Sequence, residues 1–286
     1  MRYLEAPASR SVRPRGTLLL LHAFPLTARM WEPQLSLAEH GWRVIAPHYR
    51  GMDGPASLAS NSERATPRLA ETVGDTSRGG GVDDPPATSM DDYAADVFDL
   101  LDSLHIEEAV VAGLSMGGYV AFALFRHAPR YFLGLVLADT RSQADTPEAV
   151  EGRKRLLAVL GEKGPAAVAD EMLPKLLGET SRRENPALVE RVRAMILANS
   201  PAAIAGAITA LMTRQDSTPL LASIHCPTLV VVGDEDTLTP SSMSRELQRG
   251  IAGSELAVIR TAGHLSSMEQ PAAFNAELAR FLDHRV

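Results

Sequence analysis

A single cysteine, Cys226, stands in 286 residues, which excludes an internal disulfide framework and any thiolate-based metal cluster. Basic runs are missing too. Asp and Glu outnumber Lys and Arg by 35 to 28, for a formal net charge of −7; a general nucleic-acid binder would carry a basic patch. Long apolar runs are absent: towards the N-terminus the longest is residues 18–21, well below the ~7–15 residues of a signal-peptide core or the ~20 of a membrane span. These absences predict a soluble, cytoplasmic chain with neither nucleic acid nor membrane among its partners. What is present, 45% hydrophobic and 22% charged residues, is the balance of a folded globular protein.

Apolar runs of strand length recur at 17–21, 43–46, 109–112, 133–137, 228–232 and 256–259. Their lack of polar alternation predicts strands buried on both faces, the environment of a parallel sheet. Helical patterns lie between them. The clearest covers 91–104, with Tyr93, Val97, Leu100, Leu101 and Leu104 on one stripe after a Ser89/Asp92 pair at capping-box spacing. Strand and helix in alternation imply an open, mostly parallel α/β sheet flanked by helices.

Two stretches break this rhythm. Residues 51–90 are dominated by Gly, Pro, Ser, Thr, Asp and Asn and hold no Phe, Trp or Tyr, so a long, flexible polar loop is expected. Its Gly79-Gly80-Gly81 is not a phosphate loop, since no Gly-Lys-Ser/Thr follows and no buried strand precedes it. From 141 to 223 the strand signal vanishes and helical patterns follow one another. The expected organisation is a core of 1–140 and 224–286 with an all-helical cap, 141–223, over the sheet edge where open α/β folds bind ligands.

The chemistry centres on Gly113-Leu114-Ser115-Met116-Gly117. A match to G-x-S-x-G arises by chance about 0.1 times in a chain of this length, so context must decide. Here the motif follows a buried run and opens a helical pattern. A strand–tight turn–helix junction strains the serine backbone and lifts its hydroxyl clear of the sheet, while the helix N-terminus favours an anionic intermediate. A serine hydroxyl needs a base, and the base needs a carboxylate to fix its tautomer. Among eight histidines, His264 stands just beyond the last strand run and is the predicted base. For the acid, Asp234, Glu235 and Asp236 follow one strand and Asp139 follows another; composition does not choose among them.

The chain resembles the α/β-hydrolase fold family over about 16–281, and its Gly-Leu-Ser-Met-Gly-Gly elbow is similar to the branch of small esterases, 3-oxoadipate enol-lactonases and cofactor-free haloperoxidases or perhydrolases. In that family a strand ends in His-Gly-x-Pro, and the residue after the Gly supplies an oxyanion N–H. The equivalent His22-Ala23-Phe24-Pro25 implies Phe24, partnered by Met116, with Ala replacing the usual Gly. The family's Gly-x-x-Asp-x-x-x-Pro falls on Gly233, Asp236 and Pro240, which implies Asp236 as the acid and leaves Asp234 or Glu235 as a solvated loop charge. The usual Asp-x-Arg-Gly-x-Gly loop appears as His48-Tyr49-Arg50-Gly51-Met52-Asp53-Gly54. Serine rather than aspartate at the elbow argues against dehalogenases and epoxide hydrolases.

The resulting expectation is a serine hydrolase of small to medium carboxylic esters or lactones, working through an acyl-enzyme without metal or organic cofactor. Perhydrolase, haloperoxidase-like or enol-lactonase activity is the alternative, as is a slow-turnover ligand-binding protein on the same fold. Trp31, Met195, Met212 and Leu265 are the candidates for substrate contact. An acidic substrate would need a cationic anchor, for which Arg141 and Arg214, at the two ends of the helical block, are the candidates.

Overall fold

The computed structural model describes residues 1–52, 70–73 and 86–286. Buried apolar runs become β2 (Gly16–Leu21), β3 (Trp42–Pro47), β5 (Ala109–Leu114), β6 (Phe132–Ala138), β7 (Thr228–Gly233) and β8 (Glu255–Ile259), joined by β1 (Arg2–Ala6) and β4 (Ala70–Val73). They form one sheet in the order β4-β1-β3-β2-β5-β6-β7-β8. The six strands from β3 to β8 in that order pair in parallel; β1 pairs antiparallel with β3 and with β4. β5 and β7 are buried at every position, as expected for strands covered on both faces.

β4 corrects the reading of 51–90 as one uninterrupted loop: four of its residues pair with β1. Residues 53–69 and 74–85 of that loop lie outside the described residues.

Helices cover the sheet. α1 (Met90–Ser103) starts in a complete capping box, with the Ser89 hydroxyl accepting the Asp92 N–H and the Asp92 carboxylate accepting the Ser89 N–H. α2 (Met116–His127) follows β5 directly and is buried along nearly its whole length, from Met116 to Phe125. α7 (Ser241–Gly250) and the terminal α9 (Pro271–His284) complete the covering layers, with the short α8 (Ser266–Glu269) just before α9.

Between β6 and β7 the chain is helical: α3 (Pro147–Leu176), α4 (Glu179–Glu184), α5 (Pro186–Leu197) and α6 (Pro201–Thr213), then a 3-10 segment at Thr218–Ser223. α3 is broken at Gly164, whose φ of 75° and ψ of −174° leave the helical region, a conformation open to glycine. No single helix among the described residues is long and apolar enough to cross a membrane.

Parallel pairing sets up the site. It brings the C-terminal ends of β2, β5, β6, β7 and β8 to one edge, followed respectively by His22, Ser115, Asp139, Asp234 and Arg260. Loops leaving that edge are where side chains from distant parts of the sequence can meet.

Candidate active site

Ser115 occupies the one-residue junction between β5 and α2 with φ 56° and ψ −113°, a strained conformation for a residue with a side chain. Backbone bonds hold it there. Ser115 N–H donates to Ala138 O at 2.9 Å, and Ser115 O accepts from Gly118 N–H at 2.9 Å and the Thr140 hydroxyl at 2.8 Å. The close packing explains the two glycines. A Cβ on Gly113 would come 2.2 Å from Gly117 O, and one on Gly117 would come 2.1 Å from Leu21 O.

His264 sits in the loop from β8 to α8. Its Nε2 lies 2.8 Å from Ser115 Oγ and its Nδ1 2.9 Å from Asp236 Oδ2. An ionised carboxylate can only accept, so Nδ1–H donates to Asp236, and Nε2 of the neutral ring is left to accept the Ser115 hydroxyl. Asp236 is pinned in turn: Oδ1 accepts Leu238 N–H at 2.8 Å and Thr239 N–H at 3.0 Å, and Oδ2 accepts the Thr239 hydroxyl at 2.6 Å. Both His264 and Asp236 are buried.

Burial pushes the Asp236 carboxyl up, but the His264 charge and hydrogen bond, with those from Thr239, outweigh it and hold the group below its ordinary value. Burial likewise pulls His264 down, yet the Asp236 charge and hydrogen bond outweigh that and raise it. The sequence therefore yields three distant side chains that the fold joins in one hydrogen-bonded relay.

The loop after β2 faces the same place. His22 is buried, and desolvation lowers its pKa to about 3, against the opposing Ala23 hydrogen bond, so the ring is neutral. Its Nδ1–H donates to Ala23 O at 3.1 Å and its Nε2 accepts Tyr49 N–H at 3.1 Å. The next peptide, Phe24–Pro25, is cis. Neither the Phe24 N–H nor the Met116 N–H, at the first position of α2, has an acceptor among the described residues. Asn199, which sequence reasoning did not single out, braces this loop by donating to Pro25 O at 2.8 Å and Leu26 O at 3.3 Å.

Ser115 and His264 open into a cavity of about 390 Å³, with Phe24, Tyr119, Leu156, Met172, Leu176, Leu211 and Leu238 among its walls. The four residues expected to contact substrate do not line it. Trp31 is fully buried and packs against Phe274 at a centroid separation of 6.0 Å. Met195 is buried within α5, Met212 is half-buried on α6, and buried Leu265 donates its N–H to Glu269. Helical periodicity identifies an apolar stripe, not the neighbour it meets: Leu211 lines the cavity while Met212, about 100° further round the helix, does not.

One of the two positions expected to carry a solvated charge does so. Asp234 is exposed, but Glu235 accepts Thr180 N–H at 2.9 Å and the Thr180 hydroxyl, tying the loop after β7 to α4. Arg141 lines the cavity; Arg214 is buried behind it, its guanidinium 4.3 Å over the Tyr119 ring. Among the described residues no group of three or more His, Cys, Asp or Glu is arranged to hold a metal ion.

Sequence comparison agrees with the architecture. The profile of the alpha/beta hydrolase family matches residues 18–277, and the chain belongs to that family. It is 30% identical over 200 residues to 3-oxoadipate enol-lactonase 2 of Acinetobacter baylyi, covering 69% of this chain and 73% of that protein. Among solved structures it is similar to a thermophilic esterase from Thermogutta terrifontis with malate bound, at 33% identity and a TM-score of 0.81, over 98% of this chain and 92% of the other. A hydrolase from Pseudomonas aeruginosa is 29% identical with a TM-score of 0.78, over 98% and 93%.

Proposed function

We propose that this hydrolase cleaves small to medium carboxylic esters or lactones through an acyl-enzyme, with Ser115 as nucleophile, His264 as general base and acid, and Asp236 as the residue that orients the imidazole. The observation that carries the reading is the unbroken hydrogen-bond chain from Ser115 Oγ through His264 to Asp236, at 2.8 and 2.9 Å.

In the first step Oγ attacks the acyl carbon as His264 Nε2 takes the hydroxyl proton, and Asp236 stabilises the imidazolium. The oxyanion is held by the free N–H groups of Phe24 and Met116; one such donor is commonly worth ~10²–10³ in rate. Nε2–H then protonates the departing oxygen and the carbon–oxygen bond breaks. A water enters, gives its proton to Nε2 as it attacks the acyl-enzyme, and Ser115 recovers its proton as the acid leaves. In a lactone the freed hydroxyl stays attached to the acyl chain, so the same steps apply; the enol-lactonase relative favours including this class. The helices between β6 and β7 act as a cap, since α3 and α6 supply Met172, Leu176 and Leu211 to the cavity wall.

The test combines labelling with kinetics. A fluorophosphonate should attach to Ser115 and a panel of 4-nitrophenyl esters should be turned over, while Ser115→Ala abolishes labelling and lowers turnover on the order of 10⁶. Near-full turnover by the variant would end this reading. Labelling without turnover of any ester or lactone would favour the ligand-binding alternative.

A further inference from the structure

The chain as a whole is acidic, yet the cavity that opens onto Ser115 is not. Its walls include Arg141, Arg153, Arg155 and Lys175 against only two carboxylates, Asp145 and Glu171. The imbalance is concentrated at Asp145, whose side chain is fully buried. Asp145 Oδ1 receives Arg141 Nη2 at 2.7 Å and Arg214 Nη1 at 2.7 Å, and Oδ2 receives Arg153 Nε at 3.1 Å. One negative charge therefore faces three guanidiniums. Partly buried cations in excess of their counter-charges are costly unless something else compensates them.

The three arginines are not equally committed. Arg214 is the most committed to the fold: Nη1 donates to Leu211 O at 2.7 Å, Nη2 to Gln143 O at 3.1 Å, its face lies on Tyr119, and its Nε is buried away from the cavity without an acceptor among the described residues. Arg141 and Arg153 line the cavity with donors to spare. Arg141 spends Nη2 on Asp145 and leaves Nη1 without an acceptor among the described residues. Arg153 spends only Nε on Asp145 and leaves both terminal nitrogens without an acceptor there. A guanidinium fork with free N–H groups matches a carboxylate in shape and charge.

Resting on the hydrolase reading above, we infer that the substrate carries a carboxylate on its non-reacting part, held by Arg141 and Arg153 while the ester or lactone carbonyl meets Ser115. Asp145 serves as the positioning residue that orients both guanidiniums. The substrate class is thus the half-ester or lactone of a dicarboxylic acid rather than a neutral ester.

Monoethyl glutarate and ethyl 5-methylhexanoate test this, because an isopropyl group replaces the carboxylate at nearly constant shape. The expected results are a kcat/KM at least about tenfold higher for monoethyl glutarate, the yield of one charge-assisted contact, and an advantage that shrinks as NaCl is raised. Arg153→Met should erase the ratio between the two esters and Arg153→Lys should leave an intermediate one. Binding is read separately by calorimetry on Ser115→Ala protein. There monoethyl glutarate should bind, and should bind about tenfold more weakly when Arg153→Met is added. Equal kcat/KM for both esters, or unchanged binding on adding Arg153→Met, overturns the inference and leaves the hydrolase reading standing. Inorganic phosphate binding more tightly than monoethyl glutarate overturns the assignment of a carboxylate. Arginine-dependent binding with no hydrolysis of either ester supports the anion site and counts against the hydrolase reading instead.

Discussion

Asp139 and Ser266 are joined twice: Asp139 Oδ2 lies 2.5 Å from the Ser266 hydroxyl and accepts the Ser266 N–H at 3.2 Å. Ser266 stands two residues after His264, so the end of β6 grips the loop that carries the imidazole. Asp139 Oδ1 accepts Gly233 N–H at 2.9 Å and so reaches the end of β7 as well. Two buried carboxylates, Asp139 and Asp236, thus flank one histidine, and their charges oppose each other.

That opposition has a measurable sign. Burial first, then the Asp236 charge, push the Asp139 carboxyl up to about 8 against the pull of His264 and its hydrogen bonds. An unfolded aspartate titrates near ~3.9. Between those values the folded chain keeps a proton that the unfolded chain has released. This carboxyl's contribution to stability is therefore complete below the unfolded pKa and falls away as pH climbs towards 8. Asp139→Asn has no proton to lose at this position. Its Tm relative to wild type should rise steadily from pH 5 to pH 8.5 in thermal melts, and a constant difference would contradict the account.

The same electrostatics govern turnover. A base must be neutral to act, and His264 is raised because the Asp236 charge and hydrogen bond overcome its burial. On the acid side, kcat/KM for a neutral ester should fall with an apparent pKa above the ordinary histidine value near ~6.5. Asp236→Asn removes the charge that raises the imidazole. Its residual activity, lower by ~10⁴ where such an exchange has been dissected, should carry that acid limb at a lower pH. A limb that stays in place would mean another group controls it.

How much of this was legible in the sequence depends on the range of the signal. Strands buried on both faces announce themselves as unbroken apolar runs, which is why β2, β3 and β5–β8 could be read. β1 gave no such run, since only Tyr3 and Leu4 of its five residues are buried, and β4 falls within a stretch of sequence dominated by polar residues, Gly and Pro. Ser115 and His264 could be read because each follows a strand. The braces could not: Asn199 finds Pro25 across 174 residues and Gly178 finds Glu269 across 91, with no local pattern to mark either. The basic wall was half legible: Arg141 was a candidate anchor from its place at the start of the helical block, but Arg153 looks like any charge on a helix until Asp145 is seen beside it.

Packing at the elbow gives a sharper test. A methyl group at Gly117 would meet Leu21 O at 2.1 Å, and backbone cannot swing aside as a side chain can. α2 would have to lift from the sheet and carry Ser115 with it. Gly117→Ala should lose about 1–3 kcal/mol of stability, seen as a Tm lower by several degrees. Fluorophosphonate labelling of Ser115 should slow by a larger factor than stability alone explains, since protein that remains folded still holds a displaced nucleophile. Wild-type labelling in a folded variant would show that the close approach does not position Ser115.

Glu269 holds the backbone of the histidine loop, where Asp236 holds the ring. Its Oε1 accepts Gly263 N–H at 2.9 Å and Leu265 N–H at 3.1 Å, bracketing His264, while Oε2 accepts Gly178 N–H at 2.8 Å from the segment just before α4. All three bonds are buried, and each donor left without an acceptor costs about 1–3 kcal/mol. Glu269→Gln keeps the volume but turns one oxygen into an NH₂ group that faces donors. Either Gly178 loses its acceptor or the pair around His264 does. The first outcome frees the helical segment and should raise KM; the second lets the imidazole drift and should lower kcat. In both, Tm should fall. Steady-state kinetics together with thermal melts separate the two, and a variant matching wild type in kcat, KM and Tm would remove Glu269 from this role.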